Sequence, residues 1–219
     1  MPLLIHGMSI LKVFNKHLAG PRELVLDTES TGLLLADGHR LVEVALVEMI
    51  NRKPTGRELH VLINPDRDIP AEVVKIHGIN NEKVKDAPKF EDLAKEIRDF
   101  IGNDPVVITC RTNKDGYTLD IDMLNFELTK AGETEVPLAQ WINVRRWSEA
   151  MFGDKAATLD KVLDRYGISR KERDENGHGA LLDARLLAEA YPQLLKDYMN
   201  FSEPKAAANA KTSVKPPKP

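Results

Sequence analysis

The chain has a single cysteine, Cys110, which excludes an intramolecular disulfide and any cysteine-rich zinc site and suits a reducing compartment. It has no surplus of basic charge either. Lys and Arg number 31 against 34 Asp and Glu, a formal net charge of -3. That balance argues against a nucleic-acid binder living on phosphate electrostatics alone, but not against an enzyme whose phosphate contacts run through bound cations. No apolar run approaches the roughly 18 residues that a membrane-crossing helix needs. Leu3-Leu4-Ile5 is broken by His6 and Gly7 and has no basic flank, so no signal peptide and no membrane association are expected. The expected location is the cytoplasm. There is no internal repeat.

What is present is an ordinary soluble composition, 42% hydrophobic and 30% charged over 219 residues, enough for one sizeable core. Residues 1–21 read as a lead-in, with Leu11, Phe14 and Leu18 at helical spacing and Pro21 closing it. Residues 22–200 read as one domain. Glu23 to Asp27, Leu41 to Val47 and Glu58 to Ile63 are strand-like, and their short connections predict an antiparallel meander. Helices are expected over 70–76 and from Phe90 to Ile101, where Gly102 stands at the cap position. A short buried strand at Val106 to Ile108 follows. Further helices are expected over 118–131, from a cap at Asn143 to Phe152, over 158–166, and over 179–197. Strands first, then helices alternating with further strand, predict an α/β fold with a mixed central sheet flanked by helices. Residues 201–219, rich in Pro, Lys and Ala, cannot bury enough apolar surface to fold alone and read as a solvated tail or a binding arm.

Chemistry concentrates first at Asp27 and Glu29. Side chains alternate along a strand, so two carboxylates two residues apart point to the same side. They repel one another unless a cation or proton lies between them, and oxygen ligands of this kind suit Mg²⁺ or Mn²⁺. Gly32 soon after lets a ligand or a tight turn approach the backbone. Asp183 interrupts an apolar helical stripe that includes Ala180, Ala184, Leu187 and Tyr191, so its carboxylate must be metal-bound, hydrogen-bonded or paired with an arginine. His178 lies five positions earlier, about 140° away on a continuous helix, and converges with Asp183 only if it sits in the loop before that helix. Gly177 and Gly179 favour the loop, and a histidine there can deprotonate water near neutral pH. Asp120 and Asp122 both stand in the first turn of the helix over 118–131, where acids are favoured by the helix dipole, so the pattern alone does not choose between them.

Taken in order, these segments resemble the DEDD superfamily of 3′→5′ exonucleases, in the histidine-using (DEDDh) branch that includes bacterial proofreading subunits. Asp27-Thr28-Glu29-Ser30-Thr31-Gly32 resembles the first motif, Asp120 to Leu128 the second, and His178-Gly179-Ala180-Leu181-Leu182-Asp183 the third. Gly38 to Ala45, Asn51 to Gly56, Asn64 to Arg67, Ile76 to Ile79 and Ala157 to Ile168 match intervening segments. The resemblance covers roughly residues 22–195. It implies a ribonuclease-H-like exonuclease fold and two divalent cations, Mg²⁺ or Mn²⁺, on Asp27, Glu29, Asp120 and Asp183. His178 would act as general base, with Asp27 and Glu29 also serving catalysis, and the product would be a nucleoside 5′-monophosphate. Thr28, Thr31, Gly32, His77 and Leu119 would bind substrate, with a structural role as the alternative for His77. The implied substrate is a single-stranded or frayed DNA 3′ end, and the implied partner a replicative polymerase. An RNA-trimming enzyme of the same superfamily and a catalytically impaired polymerase-associated module are the alternatives. Two departures stand out. Thr109-Cys110 replaces the usual His-Asn, and a loop from Arg111 intervenes before Leu119, which replaces an aromatic residue. Lys114 and Tyr117 then either compensate by phosphate contact and base stacking or lie on a longer exposed turn. Ser202 to Pro219 contains no glutamine-led hydrophobic clamp-binding motif.

Overall fold

A computed structural model describes residues 22–212; the lead-in expected over 1–21 lies outside the described residues. The first three strands are β1 (Arg22–Ser30), β2 (Leu41–Ile50) and β3 (Lys53–Leu62). They pair antiparallel in sequence, as their short connections predict. The β2–β3 turn is the two-residue pair Asn51-Arg52, both at positive φ (51° and 61°), the conformation that matches the right-handed twist of a hairpin. β2 is buried from Leu41 to Met49, so it is the inner strand of the meander and not an alternating surface strand.

Helices α1 (Ala71–His77), α2 (Asn81–Val84) and α3 (Phe90–Ile101) lead to β4 (Val106–Ile108). Then come α4 (Leu119–Lys130), β5 (Trp141–Asn143), α5 (Val144–Phe152), α6 (Leu159–Tyr166), α7 (Lys171–Asn176) and α8 (Ala180–Thr212). The sheet order is β3-β2-β1-β4-β5, with β4 parallel to both β1 and β5, so the sheet is mixed. Neither α2, α7 nor β5 was foreseeable from periodicity, because each is too short to show one.

Two cores sandwich the sheet. On one face Val25, Ala45, Val47 and Val107 pack under α5, α6 and α8. On the other, Leu24, Leu26, Val44 and Leu46 pack under α3 and α4. This alternation fixes which way every β1 side chain points. Odd-numbered residues face α8 and even-numbered residues face α4. Asn143 caps α5 by accepting from the Arg145 amide, as expected. The last helix departs from expectation. It was expected to stop at 197 and instead runs to Thr212, into the segment read as a tail. Once a helix is nucleated, extension through good formers such as Ala206, Ala207 and Ala208 needs no new nucleus, and tail composition alone does not stop it.

Candidate active site

The β1 alternation brings the first pair into place. Asp27 and Glu29 share the Val25 side and face α8, opposite Ala45 and Glu43 in the β1–β2 register. They lie within the strand, which continues to Ser30, not beyond its end. Asp183 is in the first turn of α8, only 4% exposed, on the face that meets this side of the sheet. His178 precedes that helix in the Gly177–Gly179 loop, as convergence requires. Its amide donates to the Ile76 carbonyl at 3.0 Å, and a side chain at position 177 would strike the same carbonyl, where Gly177 adopts φ +81°. Glu29, His178 and Asp183 each offer a ligand atom, all within 4.8 Å of one another.

Asp120 arrives from the opposite face. Thr28, pointing toward α4, donates its hydroxyl to Asp120 Oδ1 at 2.7 Å in a buried contact. Asp122 turns back instead and accepts from the Thr118 amide at the start of the same helix. The choice that pattern left open is thus made by geometry: Asp120 faces the carboxylate cluster and Asp122 caps its own helix.

The electrostatics follow from crowding. Burial first, then the charges of Asp120, Glu29 and Asp183, hold the Asp27 carboxyl well above the usual range. Burial, then Glu43, Asp183 and Asp120, push Glu29 up to about 8. Burial also raises Asp120, against the hydrogen bonds from Thr28 and Cys110. Asp183 goes the other way. Burial opposes its charge, but His178 and the Arg173 guanidinium outweigh it and hold the carboxyl below its ordinary value. Such a set of oxygen donors with one imidazole, mutually repelling and short of protons' worth of cations, fits hard divalent ions.

Of the residues expected to hold substrate, most have partners inside the protein. Thr28 is engaged by Asp120. Thr31 is fully buried, with its Oγ1 3.0 Å from His39 Nδ1 and accepting from the Arg40 amide. What approaches Gly32 is the chain's own His39 ring: a Cβ there would lie 2.3 Å from Cε1. His77 is 5% exposed and its Nδ1 accepts from the Ile79 amide, fixing the turn after α1. Leu119 is half-buried against the α3–α4 core. The loop before it forms a small turn, with Thr112 bridged to Thr118 and Asn113 accepting from the Asp115 and Tyr117 amides. Lys114 is exposed on that turn, while the Tyr117 hydroxyl is buried. Cys110, in place of the family's asparagine, sits beside Asp120, and burial there pushes its thiol up.

Three contributors escaped the sequence reading. Glu43, buried in β2, accepts from the Ala180 amide at 2.9 Å and from His60 at 2.6 Å, so it caps the helix that carries Asp183. Its interruption of an apolar strand was a usable signal. Arg173 binds Asp183 through both oxygens, at 2.6 and 3.0 Å, and also reaches His178 Nδ1 and Asp160. The arginine pairing foreseen as one fate of Asp183 is therefore present. Arg173 lies among charged residues that carry no apolar pattern, and Asp160, within a segment that matches the family, was given no role of its own.

The mixed five-stranded sheet flanked by helices is an α/β fold of the ribonuclease-H-like exonuclease kind. The exonuclease family model matches residues 24–191, and the chain belongs to that family. Within it, the chain is 38% identical over 177 residues to DNA polymerase III subunit epsilon of Rickettsia conorii, covering 80% of this chain and 74% of that protein. It is 35% identical over 175 residues to the subunit of the same name from Escherichia coli, covering 78% and 70%. Among solved structures, the nuclease domain of 3′hExo, a DEDDh family member bound to rAMP, superposes with a TM-score of 0.64 at 15% identity, covering 82% of this chain and 94% of that one. Among the described residues, no helix is long and apolar enough to cross a membrane.

Proposed function

We propose that this chain is a metal-dependent 3′→5′ exodeoxyribonuclease that removes terminal nucleotides as 5′-monophosphates and serves a replicative polymerase as its proofreading subunit. The observation that carries the reading is the meeting of Glu29, Asp183 and His178 within 4.8 Å, beside Asp27 and Asp120, in a chain of this family. Asp27, Glu29, Asp120 and Asp183 would hold two divalent ions, Mg²⁺ or Mn²⁺, which when bound supply positive charge to both sides of an in-line displacement at phosphorus. Water attacks the terminal phosphorus, the bond to the 3′ oxygen of the preceding nucleotide breaks, and His178 takes the proton of the attacking water. His178 suits this because its side chain is 45% exposed on a glycine-flanked loop, whereas Asp183 is held rigidly by the first turn of α8. The likeness to epsilon subunits over most of both chains supports DNA and a polymerase partner over RNA.

The test uses 5′-labelled single-stranded DNA, a mismatched primer-template and RNA of the same sequence, each with and without Mg²⁺, with Asp27→Ala as control. A stepwise ladder on both DNA substrates is expected, lost without metal and reduced at least 10³-fold in the variant, the order expected when charge stabilisation of the transition state is removed. Equal activity in Asp27→Ala would overturn the assignment of the site. A ladder on RNA alone would replace the substrate.

A further inference from the structure

The ion pair at Asp183 occupies the groups that the proposed chemistry needs. Arg173 Nε and Nη2 take both Asp183 oxygens, and Nη2 also lies 2.8 Å from His178 Nδ1. An arginine is only ever a donor, so Nδ1 must be the acceptor and its lone pair is engaged. Nδ1 also lies 3.5 Å from Asp183 Oδ2, a longer contact, so the guanidinium is the tighter link between the two groups. One guanidinium thus holds a carboxylate of the cation site and a basic nitrogen of the proposed general base together.

Arg173 also holds its own helix in place. Among the described side chains of α7 it alone is buried, at 8% exposure; Lys171, Glu172, Asp174 and Glu175 are all exposed. The helix has no apolar grip on the body, and Gly177, at positive φ, joins it directly to His178. A second, more exposed anchor remains: Nη1 pairs with Asp160 of α6, a carboxylate 37% exposed and shared with Arg170. A fixed positive charge touching Asp183 opposes any divalent cation on the same carboxylate.

We propose that Arg173 is a built-in competitor for the cations, whose guanidinium must leave Asp183 and His178 before either can serve catalysis, so that metal occupancy sets the position of α7 and of His178. This rests on the metal-dependent reading above. The exchange would be one of counter-charges: with divalent ions bound by the cluster's carboxylates, the guanidinium would give up Asp183 and keep Asp160 as its partner. Arg173 is thereby a positioning residue, acting through Asp183 and His178.

Two measurements on the full chain test it. The Arg173 Nε–H resonance of the wild-type protein, assigned by its loss in Arg173→Lys, should be protected from solvent exchange in EDTA and lose that protection on Mg²⁺ titration. Mn²⁺ binding followed by electron paramagnetic resonance should be roughly tenfold tighter in Arg173→Gln, because a repelling charge has been removed. Persistent protection at saturating Mg²⁺ would overturn the proposal, as would unchanged or weaker Mn²⁺ binding by a folded Arg173→Gln. If that variant does not fold, the wild-type titration decides. Failure of the wild type to bind Mn²⁺ at all would instead remove the metal-dependent reading and the competitor with it.

Discussion

Glu29 is a residue whose chemistry is strongly altered by its neighbours. Burial, with Glu43, Asp183 and Asp120 nearby, pushes its carboxyl up to about 8, against 4.5 for an ordinary glutamate. The native chain therefore keeps a proton that the unfolded chain releases. Glu29's favourable contribution is fully present below the ordinary glutamate range and is lost as pH rises through about 8. On the proposed metal-dependent reading, a divalent ion bound by Glu29 would displace that same proton. Mn²⁺ affinity should rise with pH and level off above about 8, and Glu29→Gln should flatten the curve while weakening binding. Calorimetric titrations in buffers of differing ionisation heat would count the protons released; no release near pH 7 would exclude the shift. At this scale the sequence was partly legible. A carboxylate interrupting a buried stripe announces itself, which is how Asp183 was found and how Glu43 ought to have been. Arg173 did not, because a lone arginine among Lys171, Glu172, Asp174 and Glu175 looks like any solvated face.

The element that matters most is the N-terminus of α8. Its first amide donates to Glu43, near the start of β2, so a strand carboxylate on the far side of a long connection sets where the Asp183 helix begins. Burial works against the Glu43 charge, but the His60 and Ala180 hydrogen bonds overcome it and hold the carboxyl below its ordinary value. Glu43→Ala leaves that amide without its charged partner and should cost about 1–2 kcal/mol in urea unfolding. Glu43→Gln keeps an acceptor oxygen and should recover at least half of it. Both variants should bind Mn²⁺ less tightly if Glu43 places Asp183; full affinity in Glu43→Ala would show that α8 finds its position without it. Helix ends with local signals, such as Asn143 before α5, were readable in advance. The Glu43 cap was not, because its two partners are 137 residues apart.

For the molecule as a whole, the site works against the fold that builds it. Asp27 and Glu29 come from the first strand, Asp120 from a middle helix, and Asp183 from the last, and folding forces their charges together. Divalent ions should therefore raise the thermal midpoint, by the equivalent of about 2.7 kcal/mol at a hundredfold excess over the dissociation constant. Asp27→Asn, which removes one repelling charge, should unfold at a higher temperature than wild type in EDTA but gain less on adding Mn²⁺. Differential scanning calorimetry with both proteins checks this. A wild-type midpoint indifferent to Mn²⁺ would mean that the cluster does not bind the ion in the folded state.

The expectation of an α/β fold with a mixed central sheet flanked by helices came from local periodicity, and it held because strand alternation and helical stripes are properties of a few neighbouring residues. The carboxylate pair of β1 was equally local: two residues apart on a strand means the same face. Which acid of the second motif faces that pair was decided only by the packing of α4 against β1, through the Thr28–Asp120 hydrogen bond. That Thr31 and His77 turn inward, and that Arg173 sits on Asp183, likewise depended on contacts between distant segments. Sequence fixes what each residue can do within its own turn or strand; the tertiary structure selects the partner, because burial makes every polar group find one and only the fold determines which is in reach.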